Sequence, residues 1–178
     1  MGGSLVLNPH GRYYEQLQET LKQEYEDLVW SEDAIFLERN SRTFKERIHK
    51  VNHNTEALCD FLVSHPKVTK IYYPKYNMRE SYDSYKSLEG GYGGLFSIIL
   101  ESEEAATQFF DNLECAKGPS LGTNFTLVCP YTILAHYTEL DWASQFGITR
   151  YLVRVSVGLE SPEYLLQVFK DALDHITA

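Results

Sequence analysis

Cysteine is scarce in this chain, and its cysteines form no recognisable pattern. The three thiols, Cys59, Cys115 and Cys129, are widely spaced in 178 residues. This spacing excludes the disulfide framework of small secreted domains, and no CxxC pair indicates a zinc or redox site. The six histidines show no HExxH or comparable spacing, so we expect no metal site. We expect an intracellular, cytoplasmic location, where thiols stay reduced.

Basic residues are also few, and long apolar runs are absent. Sixteen basic residues stand against 25 acidic ones, which gives a formal net charge of -9. We therefore expect no nucleic-acid partner, because a phosphate backbone would be repelled. No apolar run approaches the roughly 20 residues that span a bilayer, and the first residues lack a signal-peptide pattern. We expect no association with a membrane.

The first half of the chain has helical periodicity and the second half has strand patterns. Apolar positions spaced four and three residues apart predict a long helix, namely Phe44, Ile48, Val51, Thr55, Leu58 and Leu62. Apolar runs predict strands over 68–73, 95–100 and 151–157, with a further short strand over 112–116 and a loop over 75–89. The pattern predicts an α/β (α+β) sandwich, in which helices cover a small mixed sheet.

Arg154 is the most informative single residue. It lies in the segment Tyr151 to Gly158, where alternation places Tyr151, Val153, Val155 and Val157 on one face of a strand. A guanidinium set among β-branched residues needs a partner, and its fork matches a carboxylate. From the strand alone two partners stay open. One is an internal Asp or Glu, which is the commoner case, and the other is the carboxylate of a ligand.

Two turn-rich segments are weaker candidates. The loop over 117–124 is rich in small and hydroxyl residues, which let a backbone approach a ligand closely, although an ordinary turn has the same composition. The glycines of Gly90 to Gly94 suggest a phosphate loop. They lack the Lys-Ser/Thr pair of a Walker motif and precede a strand, so we do not assign phosphate binding there.

Several segments, in order along the chain, resemble a known family. They are similar to motifs of the Cys/Met-metabolism enzymes that use pyridoxal phosphate, typified by cystathionine gamma-synthase, and to the fungal branch in particular. The matching segments are Gly2 to Val6, Glu38 to Arg47, Asn52 to Leu62, His65-Pro66-Lys67-Val68, Gly91 to Ser97, Lys117 to Leu127, and Arg154 to Glu160. The last of these resembles the family signature R-x-S-V-G-x-E.

The resemblance implies roles for particular residues. It implies that Arg154 binds the α-carboxylate of an amino-acid substrate and that Ser120 and Leu121 line the same pocket. It also implies a fold like the small C-terminal domain of aminotransferase-like enzymes. Residues 1–40 would be a helical segment continuing from a missing large domain, and residues 41–178 would be the C-terminal domain.

The resemblance places the catalytic machinery elsewhere. The family's cofactor lysine would lie upstream, so we expect no catalytic residue in this chain and no pyridoxal phosphate bound to it alone. Lys117 is close to Ser120 in sequence but lacks surroundings that would make it a substitute. The parent is expected to hold pyridoxal phosphate and to assemble as a dimer or tetramer.

The implied activity is transsulfuration, in which cysteine replaces the γ-substituent of an acylated homoserine to give cystathionine. Two departures bear on the choice of reaction. Pro119 stands where the family commonly has glutamate, and Thr123 to Thr126 replace its usual Gly-x-Glu-Ser. These departures leave a related C–S lyase as an alternative. A non-catalytic domain for small-carboxylate binding or subunit association is a separate alternative, because the cofactor lysine would lie upstream.

Overall fold

The structure, a computed structural model, describes residues 2–177. One compact unit runs up to Lys45 and a second begins at Glu46. The helices are α1 (Tyr14–Glu24), α2 (Ser31–Ser41), α3 (Phe44–Val63), α4 (Arg79–Asp83), α5 (Glu103–Asn112), α6 (Tyr131–His136), α7 (Leu140–Ser144) and α8 (Pro162–Asp174), with a 3-10 turn over Tyr137–Glu139. None of them, within residues 2–177, is both long enough and apolar enough to cross a bilayer.

The first unit consists of helices held by local interactions. Unbranched residues that favour helices dominate α1, which has the sequence YEQLQETLKQE. Its side-chain contacts join neighbouring turns, as where the Gln23 amide donates to the Glu19 carboxylate at 2.8 Å. Neither α1 nor α2 has a buried residue. The role of this region as a continuation of a large domain, inferred above for residues 1–40, stays a prediction.

The second unit is built on a five-stranded sheet. The strands are β1 (Val68–Tyr72), β2 (Leu95–Leu100), β3 (Ala116–Lys117), β4 (Leu127–Pro130) and β5 (Val153–Ser156). Their spatial order is β1-β2-β5-β4-β3, and every pair is antiparallel except β3 with β4. The predicted mixed, largely antiparallel sheet with helices is confirmed.

Two local predictions were wrong. Residues 112–116 are not a strand, because α5 continues through Asn112 and only Ala116 and Lys117 pair with β4. The segment over 75–89 is not all loop, since it contains the short helix α4. The last helix begins as its sequence indicates, with the Ser161 hydroxyl accepting from the Tyr164 amide at 3.2 Å.

The register of the sheet separates two faces. Phe96, Val155 and Val128 are aligned on neighbouring strands and belong to the buried core. Side chains of α3, α5 and α8 complete that core, among them Leu58, Phe109 and Phe169. The residues one position along, Ser97, Arg154 and Cys129, are aligned on the opposite face, because successive side chains of a strand alternate. We call this second face the open face.

Candidate functional site

Arg154 lies at the centre of the open face without an acidic partner. Its guanidinium donates to the carbonyl oxygen of Pro119 and lies over the ring of Tyr131, with 4.6 Å between the guanidinium carbon and the ring centroid. Within residues 2–177 no ion pair joins Arg154 to a carboxylate. The structure thus does not contain the internal ion pair that the strand alone left open.

The loop that carries Ser120 and Leu121 is fastened over β5 at two points. The Pro119 carbonyl accepts from Arg154, and the Gly122 amide donates to the Ser156 hydroxyl at 3.3 Å. Arg154 and Ser156 are two residues apart on one strand, so both anchors lie on the open face. Ser120 and Leu121 are exposed between these anchors. The structure therefore brings the three predicted site residues into one region.

Glu160 holds the base of this loop, a role that the sequence analysis missed. Its carboxylate accepts from the Thr126 amide at 2.6 Å and from the Thr126 hydroxyl at 2.9 Å. The Gly158 amide in turn donates to the Thr126 hydroxyl at 3.0 Å. The signal was present, because Gly158 and Glu160 both belong to the R-x-S-V-G-x-E segment, but only Arg154 was given a role.

Gly158 is needed because the two chain segments almost touch. A Cβ at this position would lie 2.5 Å from the Cα and carbonyl carbon of Phe125 and 2.7 Å from the Asn124 carbonyl oxygen. From the other side, the Asn54 amide donates to the carbonyl oxygens of Gly158 and Glu160 at 3.1 and 2.8 Å. The segment after β5 is thus clamped between α3 and the loop before β4.

The glycine-rich segment over 90–94 also has a packing role. A Cβ on Gly94 would lie 2.2 Å from a methyl carbon of Val51, and a Cβ on Gly91 would lie 2.5 Å from the Asn52 side chain. The Gly93 amide donates to the Asn52 side-chain oxygen at 3.0 Å. These glycines let the chain cross α3 closely on its way into β2.

The three cysteines are poor nucleophiles at neutral pH. Burial raises the pKa of Cys115 to about 12 and also raises the pKa of Cys59. Burial raises the pKa of Cys129 as well, against the opposing positive charge of Arg154. Because the thiolate is the reactive form, all three thiols stay protonated and unreactive.

Neither Lys117 nor Lys70 lies on the strand of Arg154 or on the strand next to it on the same face. Lys117 is aligned with Val128 and so lies on the helix-covered face, where its amine donates to the carbonyl oxygens of Phe110 and Asp111. Lys70 lies on β1, with β2 between it and the strand of Arg154, and its amine is 4.5 Å from the centroid of the Tyr72 ring. Lys117 is thus separated from Arg154 by the sheet, and Lys70 is separated from it by an intervening strand.

Comparisons with known proteins identify the family of this chain. The family model described as Cys/Met metabolism PLP-dependent enzyme matches residues 1–174. A cystathionine gamma-synthase of Neurospora crassa is 54% identical over 97% of this chain and 28% of its own length. A cystathionine gamma-synthase of Saccharomyces cerevisiae is 52% identical over 98% of this chain and 29% of its own length. The chain thus spans less than a third of these relatives.

A solved structure shares the fold. The cystathionine gamma synthase of Xanthomonas oryzae pv. oryzae, in complex with cystathionine, superposes with a TM-score of 0.69 and 27% sequence identity. The match covers 77% of this chain and 36% of that one. The resemblance inferred from the motifs is confirmed.

Proposed function

This chain belongs to the Cys/Met-metabolism family of pyridoxal-phosphate-dependent enzymes, and from that premise we propose that it is the C-terminal part of a transsulfuration enzyme. The proposed parent is a transferase of the cystathionine gamma-synthase type. It joins cysteine to the homoserine skeleton of an acylated homoserine and releases the acyl acid. The identities above 50% to two fungal cystathionine gamma-synthases support this choice.

The observation that carries the proposal is the guanidinium of Arg154. It is half-buried, is held by the Pro119 carbonyl and the Tyr131 ring, and has no carboxylate of residues 2–177 paired with it. A positive charge fixed in this way is prepared for an anion, and two parallel N–H donors match the two oxygens of a carboxylate. We assign Arg154 as the group that binds the substrate's α-carboxylate.

The loop around Ser120 and Leu121 is assigned a positioning role. Its two anchors on β5 fix the backbone beside Arg154, and the Glu160–Thr126 pair fixes its far end. Ser120 offers a hydroxyl and Leu121 an apolar side chain to the same ligand. A substrate held at its carboxylate then contacts this anchored loop, which restricts the substrate's orientation.

The remaining chemistry belongs to the longer protein. Pyridoxal phosphate, when bound there, supplies the electron sink for the exchange at the substrate's side chain. We propose a large domain of the same polypeptide as the partner of this chain and a dimer or tetramer as the assembly. The three free, protonated thiols fit a reducing compartment, so we place the enzyme in the cytoplasm.

The test is a substitution of Arg154 in the full-length enzyme with its cofactor bound. Arg154→Lys keeps the charge but loses the two-pronged match, and a hydrogen bond to a charged group contributes about 1.5–3 kcal/mol. We expect kcat/KM for acylated homoserine to fall about ten- to a hundredfold, and further in Arg154→Ala. The visible absorbance of the bound cofactor should be unchanged.

Lys117→Gln is the matched control, because it removes a charge from the opposite face of the sheet. It should leave kcat/KM unchanged. Thermal unfolding of each variant separates binding from folding. An Arg154→Lys enzyme with unchanged KM and a much lower melting temperature would show that Arg154 serves the fold, and the assignment would be wrong.

A further inference from the structure

Tyr131 is placed beside Arg154 by the pairing of β4 with β5. It comes directly after β4, in which Cys129 is the register partner of Arg154. Its backbone amide donates to the Leu152 carbonyl at 3.2 Å, so the start of α6 is joined to the chain just before β5. These contacts fix the backbone of Tyr131 against β5, and its half-buried ring lies under the guanidinium.

A second ring packs against the Tyr131 ring. The His136 ring meets it edge to face, with centroids 5.8 Å apart and an angle of 72° between the planes. Such edge-to-face pairs are a favoured arrangement of aromatic rings. Nδ1 of His136 lies 2.6 Å from the Glu139 carboxylate, so the His136 ring is anchored in turn. The Tyr131 ring is therefore held by contacts other than its contact with Arg154.

An aromatic ring can hold a guanidinium without neutralising it. The cation is attracted by the π electrons of the ring, and the ring carries no charge of its own. The Pro119 carbonyl, the other group that holds Arg154, is also neutral. A carboxylate partner would instead cancel the charge and take two N–H donors, which a substrate carboxylate needs. The arrangement thus presents a guanidinium of restricted orientation that keeps its full charge.

We propose that Tyr131 is a positioning residue for the substrate's α-carboxylate and that it acts through Arg154. The ring restricts the guanidinium to one orientation, so less side-chain freedom is lost when the carboxylate binds. The inference rests on the proposed carboxylate-binding role of Arg154 and extends it, because it states which side chain orders the guanidinium before substrate binds.

The test compares two substitutions of Tyr131 in the full-length enzyme with its cofactor bound. Tyr131→Leu removes the ring, whereas Tyr131→Phe keeps the ring and removes only the hydroxyl. We expect Tyr131→Leu to raise KM for acylated homoserine, measured with the O-acetyl and O-succinyl esters, about two- to tenfold, because substrate must then order the guanidinium. In the saturated enzyme the carboxylate itself holds the guanidinium, so kcat should be nearly unchanged. Tyr131→Phe should behave like the unchanged enzyme.

A double-mutant cycle shows whether the ring acts through Arg154. In an Arg154→Ala enzyme the ring has no guanidinium to hold, so adding Tyr131→Leu should lower kcat/KM by less than about twofold more. Tyr164→Leu is the matched control, because it removes a tyrosine ring from α8 on the helix-covered face, and it should leave KM unchanged. Tyr131→Met, whose flexible side chain fills irregular space, is a second variant without the ring. Thermal unfolding of each variant checks the fold.

The outcomes separate this inference from the proposed function. A KM that is raised in Arg154→Lys but unchanged in Tyr131→Leu would keep the carboxylate site and overturn the role of the ring. Equal losses in Tyr131→Phe and Tyr131→Leu would overturn it too, because the hydroxyl would then be the important group. An undiminished effect of Tyr131→Leu in the Arg154→Ala enzyme would show that the ring does not act through Arg154. An unchanged KM in both Tyr131→Leu and Arg154→Lys would overturn the proposed role of Arg154 together with this inference.

Discussion

The two units of this chain contrast in how their helices are used. In the second unit α8 buries five of its thirteen residues against the sheet. In the first unit α1 and α2 bury none, and Leu28 and Trp30 between them are 83% and 66% exposed. Helices of 11 residues such as α1 and α2 are only marginally stable alone, because tertiary packing supplies most of the stability of a helix in a protein. The first unit therefore exposes large apolar side chains of the kind that α8 buries. This exposure supports the proposal that a large domain covers it.

The test of this contrast with the largest expected change in stability compares two phenylalanines. Phe169 on α8 is fully buried, and Phe36 on α2 is 49% exposed. Phe169→Ala should lower the free energy of unfolding by about 3–5 kcal/mol, because it removes apolar contacts and leaves a cavity. Phe36→Ala should cost under about 1 kcal/mol, because about half of its surface is already exposed and its ring contact is with the Arg39 guanidinium. Urea unfolding of this chain measures both. Equal losses would show that the first unit has a core of its own.

A second test uses two glycines. A Cβ on Gly158 meets backbone atoms at 2.5 Å, whereas a Cβ on Gly3 meets nothing within 4 Å. Gly158→Ala should therefore cost about 1–3 kcal/mol, because the backbone of the loop before β4 has to shift. Gly3→Ala should change stability by no more than about 0.5 kcal/mol.

The two glycine variants also test how the site is built. The displaced loop is continuous with the segment fastened over Arg154, so Gly158→Ala should also raise KM for acylated homoserine in the full-length enzyme. Thermal unfolding and steady-state kinetics measure the two effects. A Gly158→Ala chain as stable as the unchanged one would contradict the close approach described here.

The sequence predicts those parts of the fold that local chemistry determines. The apolar run over 95–100 and the Ser161-Pro162 start of α8 specify their elements within a few residues, and both were correctly assigned. The two-residue strand β3 is defined by its pairing with β4, so no local sequence pattern predicts it. The helix α6 was missed for a related reason. It is short, and its residues serve to cover the open face of the sheet.

The candidate site, too, has features that the sequence predicts and features that it does not. A strand arginine among β-branched residues indicates a need for an anion, and this follows from Arg154 alone. Its contact with Pro119 and the Glu160–Thr126 pair join residues 34 or 35 positions apart. Such contacts depend on the path of the intervening loop, which sequence periodicity does not encode.

The test with the smallest expected change in stability compares two ion pairs. In the second unit the Lys75 amine contacts both Asp60 oxygens, at 2.8 and 2.9 Å, and so links α3 to the segment after β1. In the first unit the Arg42–Glu38 pair lies at 2.9 Å within a single helical segment, and both side chains are well exposed. Burial alone would raise the pKa of Asp60, but hydrogen bonds from Lys75 and Tyr76 outweigh it and hold the pKa below its ordinary value of 3.8.

The lowered pKa of Asp60 fixes the sign of a pH effect. The unfolded chain takes up a proton on this carboxyl at a higher pH than the folded chain does, so the pair's stabilisation is complete above about pH 4 and is lost as the pH falls through the lowered pKa. Because Asp60 is largely exposed, the effect should stay under about 1 kcal/mol. Asp60→Asn should remove that part of the stability change between pH 6 and pH 2.5, whereas Glu38→Gln should leave the change intact. Urea midpoints of the three chains at both pH values measure this. An acid response lost in Glu38→Gln and kept in Asp60→Asn would reverse the contrast, because the local helical pair would then contribute more than the pair that joins two elements.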